Sequence, residues 1–419
     1  MKEITKRRKK TKENFMGVGD EWLVSQMQDI LIHGKKAFDG CAMEMGKMLA
    51  ETIMYMEREE LAGPDYHPVY SHLRKWASQP GSVFIGGSKV RVNHPRLRDA
   101  EGETVLRSYQ QLKDPTQFSD ELLAKVLRGL SGRKYKETIL QTAGAFGISS
   151  GSISNRVVEA TERQLSELLD RDLSGINVFA VFLDTVHRGG SAFIVALGLD
   201  QKGKKHNLGF WEGATENNEI CLELFNDLEL RGLKLGKDIL FVTDGGSGII
   251  KALKNRYGSD LIHQRCTIHK DRNIQSHLPK RRRKEAHRRF RIALSMKSYS
   301  DAKGELELLE KWLRETNESA ADSLVEAMEE ILTLHRLQVP ELLRKTLHST
   351  NLIEGVFYQV RRMERNIKRY RSSKMSRRWL GACLIQAEKQ FRLVQGYQSI
   401  PLVIKNIQQQ QMKEIKKAA

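Results

Sequence analysis

Cysteine and proline are both scarce, at four and eight of 419 residues. Cys41, Cys221, Cys266 and Cys383 show no pairing rhythm, which excludes a disulfide-stapled scaffold and suits a reducing compartment. Low proline, beside 40% hydrophobic and 29% charged residues, excludes collagen-like and disordered chains. Long apolar runs are lacking as well. Val178–Leu183 is characteristic of those present and falls far below the ~18 residues of a membrane span, so no membrane partner is expected. The Lys/Arg-rich first dozen residues precede no apolar segment, so the expectation is a cytoplasmic protein without a secretory signal.

What the chain has in excess is positive charge. Seventy Lys and Arg against 52 Asp and Glu leave a net +18, and a basic intracellular protein of this kind is expected to meet a polyanion, nucleic acid first. The charge is concentrated in three runs. Residues 2–12 carry seven Lys/Arg, residues 265–291 carry eleven including Lys280, Arg281, Arg282, Arg283 and Lys284, and Arg361–Arg378 carries nine. Singly, each run reads as a solvated surface. Together, in so basic a chain, they read as phosphate-backbone contacts, which add affinity through counterion release and carry no sequence information.

The length allows two to three domains of about 150 residues. Residues 20–62 have helical spacing up to Gly63-Pro64, and Ser82–Val92 alternates around Gly86-Gly87 as a small hairpin that His94-Pro95 should break. Glu121–Leu127 starts another helix. Glu137–Phe146, the turn Gly147-Ile148-Ser149 and the helix Ser152–Leu169 then trace a helix-turn-helix outline. In that outline Ser152, Ser154, Asn155 and Arg156 would enter a major groove; an ordinary helical hairpin shares it.

From residue 177 the texture changes. Val178–Leu183, Ala192–Leu199 and His206–Trp211 read as three meander strands, followed by helix Ile220–Leu230 and strand Ile239–Thr243. Helix Gly248–Tyr257 and a fifth strand, Leu261–Cys266, complete a β-β-β-α-β-α-β order, an α/β core with a mixed five-stranded sheet. Residues 270–348 are helical in texture, and Asn351–Val394 reads as one more helix. Asp184 and Asp244 are each expected to terminate a buried strand. Two such acids in one sheet repel each other at close range, which hard divalent cations would relieve. Asp244-Gly245-Gly246-Ser247-Gly248 matches no phosphate-loop pattern and reads as a tight strand-to-helix turn, so no nucleotide cofactor is expected. Asn351-x-x-Glu354 reads as a capping box. Cys266-x-x-His269 has half of a zinc spacing, with no second pair at usable distance although His263, His277 and His287 lie near. His187 reads as a strand-end surface residue. Trp211 reads as the packed end of a hairpin, with support of an unpaired base as the alternative.

Leu183-Asp184-Thr185-Val186-His187, Val242-Thr243-Asp244-Gly245, Cys266-Thr267-Ile268-His269-Lys270-Asp271-Arg272-Asn273 and Thr350-Asn351-Leu352-Ile353-Glu354 resemble, in order, the motifs of the Mutator-type transposases of bacterial insertion sequences. The resemblance runs from Gly129 to Phe391, and before residue 100 only Pro95-Arg96-Leu97-Arg98 is family-like. It implies an RNase H-like core interrupted by an all-α insertion and preceded by a mostly helical DNA-binding region. It also implies a catalytic and metal-binding triad of Asp184, Asp244 and Glu354 holding two Mg²⁺, with Mn²⁺ able to substitute. Cys266 and His269 would be the family's Cys-x-x-His motif at the entry to the insertion, a structural element without assigned chemistry. Implied partners are the terminal inverted repeats of the element and target DNA, bound by a homo-oligomer. The implied reaction is strand cleavage followed by strand transfer; a regulatory DNA-binding relative and a nuclease that cuts without joining are the alternatives. The expected organisation is a basic arm (1–19), a helical region with a hairpin (20–120), the helix-turn-helix (121–172), and the first part of the core (173–269). The helical insertion (270–348), the final core helix with Glu354 (349–395) and a C-terminal tail (396–419) follow.

Overall fold

The computed structural model describes residues 43–63, 72–85, 88–114, 116–127, 150–215, 217–365 and 367–418. The chain divides into two compact units, the first ending at Ala160 and the second beginning at Thr161. The basic arm, the first helix of the expected helix-turn-helix and its turn lie outside the described residues.

In the first unit, helix α1 (43–62) buries Ala50, Met54 and Ala62. Strand β1 (Arg74–Ile85) pairs antiparallel with β2 (Ser88–Arg98), and the two-residue β3 (Glu103–Thr104) adds to β2. This hairpin is longer than the alternation suggested, and His94-Pro95 does not break it. The register passes from Gln79↔His94 to Trp76↔Arg96, so a bulge falls opposite Pro95, where the missing N–H costs no ladder bond. Helices α2 (Arg107–Lys113) and α3 (Thr116–Leu127) follow. The Glu57 carboxylate of α1 accepts from the Arg107 and Ser108 N–H groups, both at 2.8 Å, satisfying two donors that α2 leaves open at its start. Met54, Val83, Val92, Leu97 and Tyr109 form the core.

Helix α4 (Ser150–Leu169) ends inside the second unit, whose centre is a mixed sheet in the order β6-β5-β4-β7-β8. Strands β4 (Val178–Arg188), β5 (Ser191–Asp200) and β6 (Lys205–Gly213) form an antiparallel meander. The β4–β5 connection is Gly189-Gly190, both at positive φ, the backbone that a two-residue hairpin demands. Helix α5 (Asn218–Leu230) leads to β7 (Leu240–Thr243), which is parallel to β4, and α6 (Ser247–Tyr257) leads to β8 (Ile262–Arg265), parallel to β7. Val181 and Leu183 pack with Leu224, Phe225 and Leu253 of the two crossover helices. Side chains alternate along a strand, so Phe182 and Asp184 face the opposite side.

Helices α7 (Thr267–Ser276), α8 (Lys280–Ser295), α9 (Tyr299–Arg314), α10 (Glu318–Ile331), α11 (Thr333–Arg336) and α12 (Glu341–Leu347) follow without a strand among the described residues. They begin at Thr267, slightly before the expected boundary, and bury a core of their own around Phe290, Leu306, Leu324 and Ile331. The single helix expected over Asn351–Val394 is two: α13 (Asn351–Met363) and α14 (Ser373–Glu388). The break has a local cause, since the Ser372 side chain accepts from Met375 N and caps a new helix start. Residues 396–419, expected as a tail, hold helix α15 (Ile400–Ala418), with Ile400, Val403 and Ile407 buried. No helix among the described residues is long and apolar enough to cross a membrane.

Candidate active site

Asp184 does not end its strand. The β-branched Thr185 and Val186 carry β4 on to Arg188, so Asp184 sits inside the sheet, paired with Val195 and 8% exposed. On the other side β4 pairs with β7 up to Leu183↔Thr243, so Asp184 follows the last paired residue of β4 and Asp244 is the first residue past the end of β7. The Asp184 carboxyl is pushed up to about 7, first by burial and then by the Asp244 carboxylate; the Thr185 N–H, donating to Oδ1 at 2.8 Å, works against the shift. Among the described residues no cation stands within ion-pair distance of it. Asp244 accepts from Gly246 N–H at 3.0 Å, and the chain turns at once into α6. Gly245 makes that turn at φ +98°, where a Cβ would strike the Arg265 guanidinium, so the glycines serve a tight turn, as their sequence suggested.

Glu354 comes from α13, which packs against β4. The capping box does not form. Thr350, not Asn351, is the N-cap, it makes no capping bond, and its hydroxyl instead donates to Glu354 Oε1 at 3.1 Å. The Glu354 carboxylate therefore takes the Thr350 hydroxyl in place of a backbone N–H of the helix start, and it stands 3.7 Å from His269 Nε2. Its charge reaches Asp184 and pushes that carboxyl further up.

Cys266 and His269 hold this arrangement together. The Cys266 N–H donates to Thr243 O at 2.8 Å, and its sulfur accepts from the Thr350 N–H at 3.4 Å and lies at the same distance from the Thr350 hydroxyl oxygen, whose one proton points to Glu354. His269 Nδ1 lies 3.4 Å from the same hydroxyl. The start of α7 is thus tied to the end of β7 and to the start of α13, which fixes where Glu354 emerges. The Cys266 hydrogen bond, chiefly, raises His269 to about 9, with burial opposing and the charges of Cys266, Glu354 and Asp244 assisting. Burial pushes the Cys266 thiol up, but the bonds to His269 and Thr350 outweigh it and hold the thiol below its usual range. Among the described residues no three His, Cys, Asp or Glu side chains form a ready-made metal cluster, zinc included. His187 is exposed near the end of β4, and Trp211 packs on the sheet core while its indole N–H donates to Glu223.

The basic residues divide into used and open charges. Lys280, Arg281 and Lys284 are exposed on α8; Arg283 donates to Leu278 O at 2.9 Å, and Arg282 lies over the Trp312 ring at 5.7 Å. Arg361 and Arg362 are exposed on the last turn of α13. On α4, Ser154 and Asn155 are exposed and Arg156 pairs with Glu159 at 3.0 Å; of the Ser152 side chain nothing is described. Sequence reasoning missed two features. Thr350 is one, because its role depends on Cys266, 84 positions away. The other is the buried pair of Arg188 with Glu364, which anchors the far end of β4 to the chain after α13. Glu364 is the lone acid of the third basic run, and that isolation was the only available signal.

The sequence model described as "Transposase, Mutator family" matches residues 23–393. The chain is 25% identical over 312 residues to the transposase for insertion sequence element IS256 in transposon Tn4001 of Staphylococcus aureus, covering 72% of this chain and 77% of that protein. It is 24% identical over 382 residues to the probable transposase for insertion sequence element ISRM3-like of Sinorhizobium fredii, covering 84% and 88%. With the transposase for insertion sequence element IS905 of Lactococcus lactis it shares 26% identity over 283 residues, 65% of this chain and 69% of that one.

Proposed function

Because the chain belongs to the Mutator family of transposases, we propose that it cuts DNA at the ends of an insertion sequence and joins the freed 3′-hydroxyl to target DNA, using Asp184, Asp244 and Glu354. The observation that carries this reading is Asp184, a carboxylate 8% exposed whose charged influences are two further carboxylates and a single opposing cation, His269, and which stays raised in spite of that cation. An all-oxygen anionic donor set suits hard divalent cations, and Mg²⁺ fits it, with Mn²⁺ as a substitute. In this reading Asp184, Asp244 and Glu354 would together hold the ions. When bound, the ions supply an activated water or 3′-hydroxyl and neutralise charge on the phosphate being displaced.

The protein's own groups do the placing. The sheet fixes the two aspartates where the β4–β7 pairing ends, and Thr350 with Cys266 and His269 fixes the third acid. The sheet order, with three meander strands and two parallel crossovers, supports an RNase H-like core, and α7–α12 would be its helical insertion. Lys280, Arg281, Arg361 and Arg362 would hold phosphates, and Ser154, Asn155 and Arg156 would read bases at the element end. The test is an assay with Mg²⁺, a labelled duplex of the gene's flanking inverted repeat and a target plasmid. Nicked and joined products are expected; nicking without joining would make the protein a nuclease, and neither product would sink the reading.

A further inference from the structure

A cavity of 740 Å³ lies in the second unit between α7, α8 and α12, with Asn351 of α13 on its wall. On α7, Ile268, Asp271, Arg272 and Gln275 line it at i, i+3, i+4 and i+7, one face of the helix, while His269 on an adjoining face meets Glu354 at 3.7 Å. Asn351 lies one turn before Glu354 on α13, a rise of about 5 Å. A helix with its side chains is about 10 Å across, so the cavity lies within roughly 5–10 Å of the proposed cleavage site.

Its apolar lining is no seat for a ligand. Phe290, Ile331 and Leu334 are core side chains, 1–2% exposed, and offer almost no surface. What the cavity presents is charge. Arg272, Arg291 and Lys297 line it from exposed positions and Arg344 from a half-buried one, and among the described residues none of the four is in an ion pair. The acids on the wall are already taken, Asp271 by His287 and Glu341 by Lys345, both at 2.6 Å. The cations stand close enough to act on the same neighbours. Burial holds the His348 imidazole down, and both Arg291 and Arg344 push it the same way. The Glu341 carboxyl is lowered first by Lys345, then by Arg344 and Lys297 as well. Burial pushes the Arg344 guanidinium down, with the Glu341 carboxylate opposing. A half-buried cation without an ion-pair partner costs stability until an anion joins it.

Three guanidinium forks, each able to bond two oxygens of one group, suit phosphate. The geometry points to this cavity as a phosphate seat for the strand being cut, in which Arg344, Arg291 and Arg272 hold the backbone a few nucleotides from the scissile phosphate. One strand carries a phosphate every ~3.4 Å along the duplex axis, so a separation of about 5–10 Å corresponds to roughly two or three nucleotides. These cations are distinct from the exposed Lys280, Arg281, Arg361 and Arg362. No base is read here, so the contact sets where the strand lies and not which sequence is bound. This inference rests on the transposase reading above.

The test pairs full-length protein with element-end duplexes in which one backbone phosphate at a time, around the end of the element, is replaced by a neutral methylphosphonate. Affinity is read in Ca²⁺ so that no cutting intrudes. One or two replacements, roughly two or three nucleotides from the element end, are expected to weaken binding about tenfold each. Arg344→Gln should weaken binding of the unmodified duplex by a similar factor and lose little more at those positions, while staying fully sensitive to replacements elsewhere. Such non-additivity marks a direct contact between the cation and that phosphate. Arg272→Gln and Arg291→Gln, at exposed positions, should show the same coupling and keep the measurement available if Arg344→Gln does not fold. Losses that add fully at every position in these variants would overturn the inference, even in a protein that cuts normally. Saturable binding of inorganic triphosphate, lost in the variants and without coupling to the duplex, would also overturn it and assign the cavity to a free polyphosphate. Coupling in a protein that never cuts would uphold the phosphate seat and sink the transposase chemistry instead.

Discussion

Two carboxylates in the second unit make an instructive contrast. Glu330, on α10, is held down to about 2: burial pushes it up, but His263, Arg265 and Lys254 around it win. Asp184, on strand β4 of the sheet, is pushed up to about 7 by burial and by other acids, with His269 opposing. Both are largely shielded from water. One is neutralised from within the chain and joins the helices α7–α12 to β8. The other is left for something from outside. Where the protein needs only a fold it pairs its charges; at the proposed site three acids share the one cation His269, which stands by Glu354 and leaves Asp184 only partly compensated, at a cost in stability.

The sharpest way to break that contrast is to remove the acids singly. Asp184→Asn, Asp244→Asn and Glu354→Gln are each expected to cut strand cleavage by about a thousandfold or more, the equivalent of ~4 kcal/mol of barrier, while DNA binding persists. In chelator at pH 8, Asp184→Asn should also melt higher than the parent protein. A raised carboxylate pKa means that stability is lost as pH rises through about 7, and the amide has no such loss. Full Mg²⁺-dependent activity in Glu354→Gln would reduce that residue to a helix-start residue hydrogen-bonded to Thr350. An Asp184→Asn protein no more stable than its parent would remove the evidence of stored repulsion.

Glu330 should behave in the opposite sense. Glu330→Gln leaves Arg265 short of a partner, and we expect a loss of about 1–3 kcal/mol, discounted from a fully buried pair because the Glu330 side chain keeps 18% exposure. The folded pKa is below the usual carboxylate value, so the stabilisation is complete above about 4.5 and is lost as pH falls toward about 2. Parent and variant melting curves should therefore converge in acid and separate toward neutral pH. Cleavage per folded molecule should be unchanged. Equal melting at pH 7 would show that Glu326, which also pairs with Arg265 at 3.3 Å, suffices alone.

The sequence made one member of this contrast legible and hid the other. Asp184 and Asp244 could be picked out because each follows a run that reads as a buried strand, Val178–Leu183 and Ile239–Thr243, and an acid there is conspicuous. Strand order was legible for the same reason, since buried strands and amphipathic helices carry different periods. Glu330 could not be picked out, because on α10 it is one of several acids and its partners lie 65 or more positions away. The same distance concealed Thr350 from Cys266 and Glu364 from Arg188. Local rules misled where tertiary pairing overrode them: Pro95 is carried by a bulge, β4 continues through Asp184, and the expected cap at Asn351 never forms because its neighbour's hydroxyl turns to Glu354.

The smallest expected effects lie on the basic surface, where the contrast between used and open charge recurs. Arg281 is exposed on α8, whereas Arg283, two residues on, donates to the Leu278 carbonyl and is half-buried. If open charges meet phosphate, Arg281→Gln should weaken binding equally on element-end and random DNA and reduce the salt slope by about one. Arg283→Gln should leave the slope nearly unchanged and lower the melting temperature slightly, because its work is to satisfy the carbonyl that precedes the helix. Arg156→Ala should behave as neither does. A residue that reads bases loses roughly 1–3 kcal/mol on the element end and little on random DNA, although it must first give up its 3.0 Å pair with Glu159. Filter binding at several salt concentrations separates the three patterns. An unchanged slope in Arg281→Gln would leave the α8 run as solvated surface, and equal losses on both DNAs in Arg156→Ala would return α4 to the role of an ordinary helix.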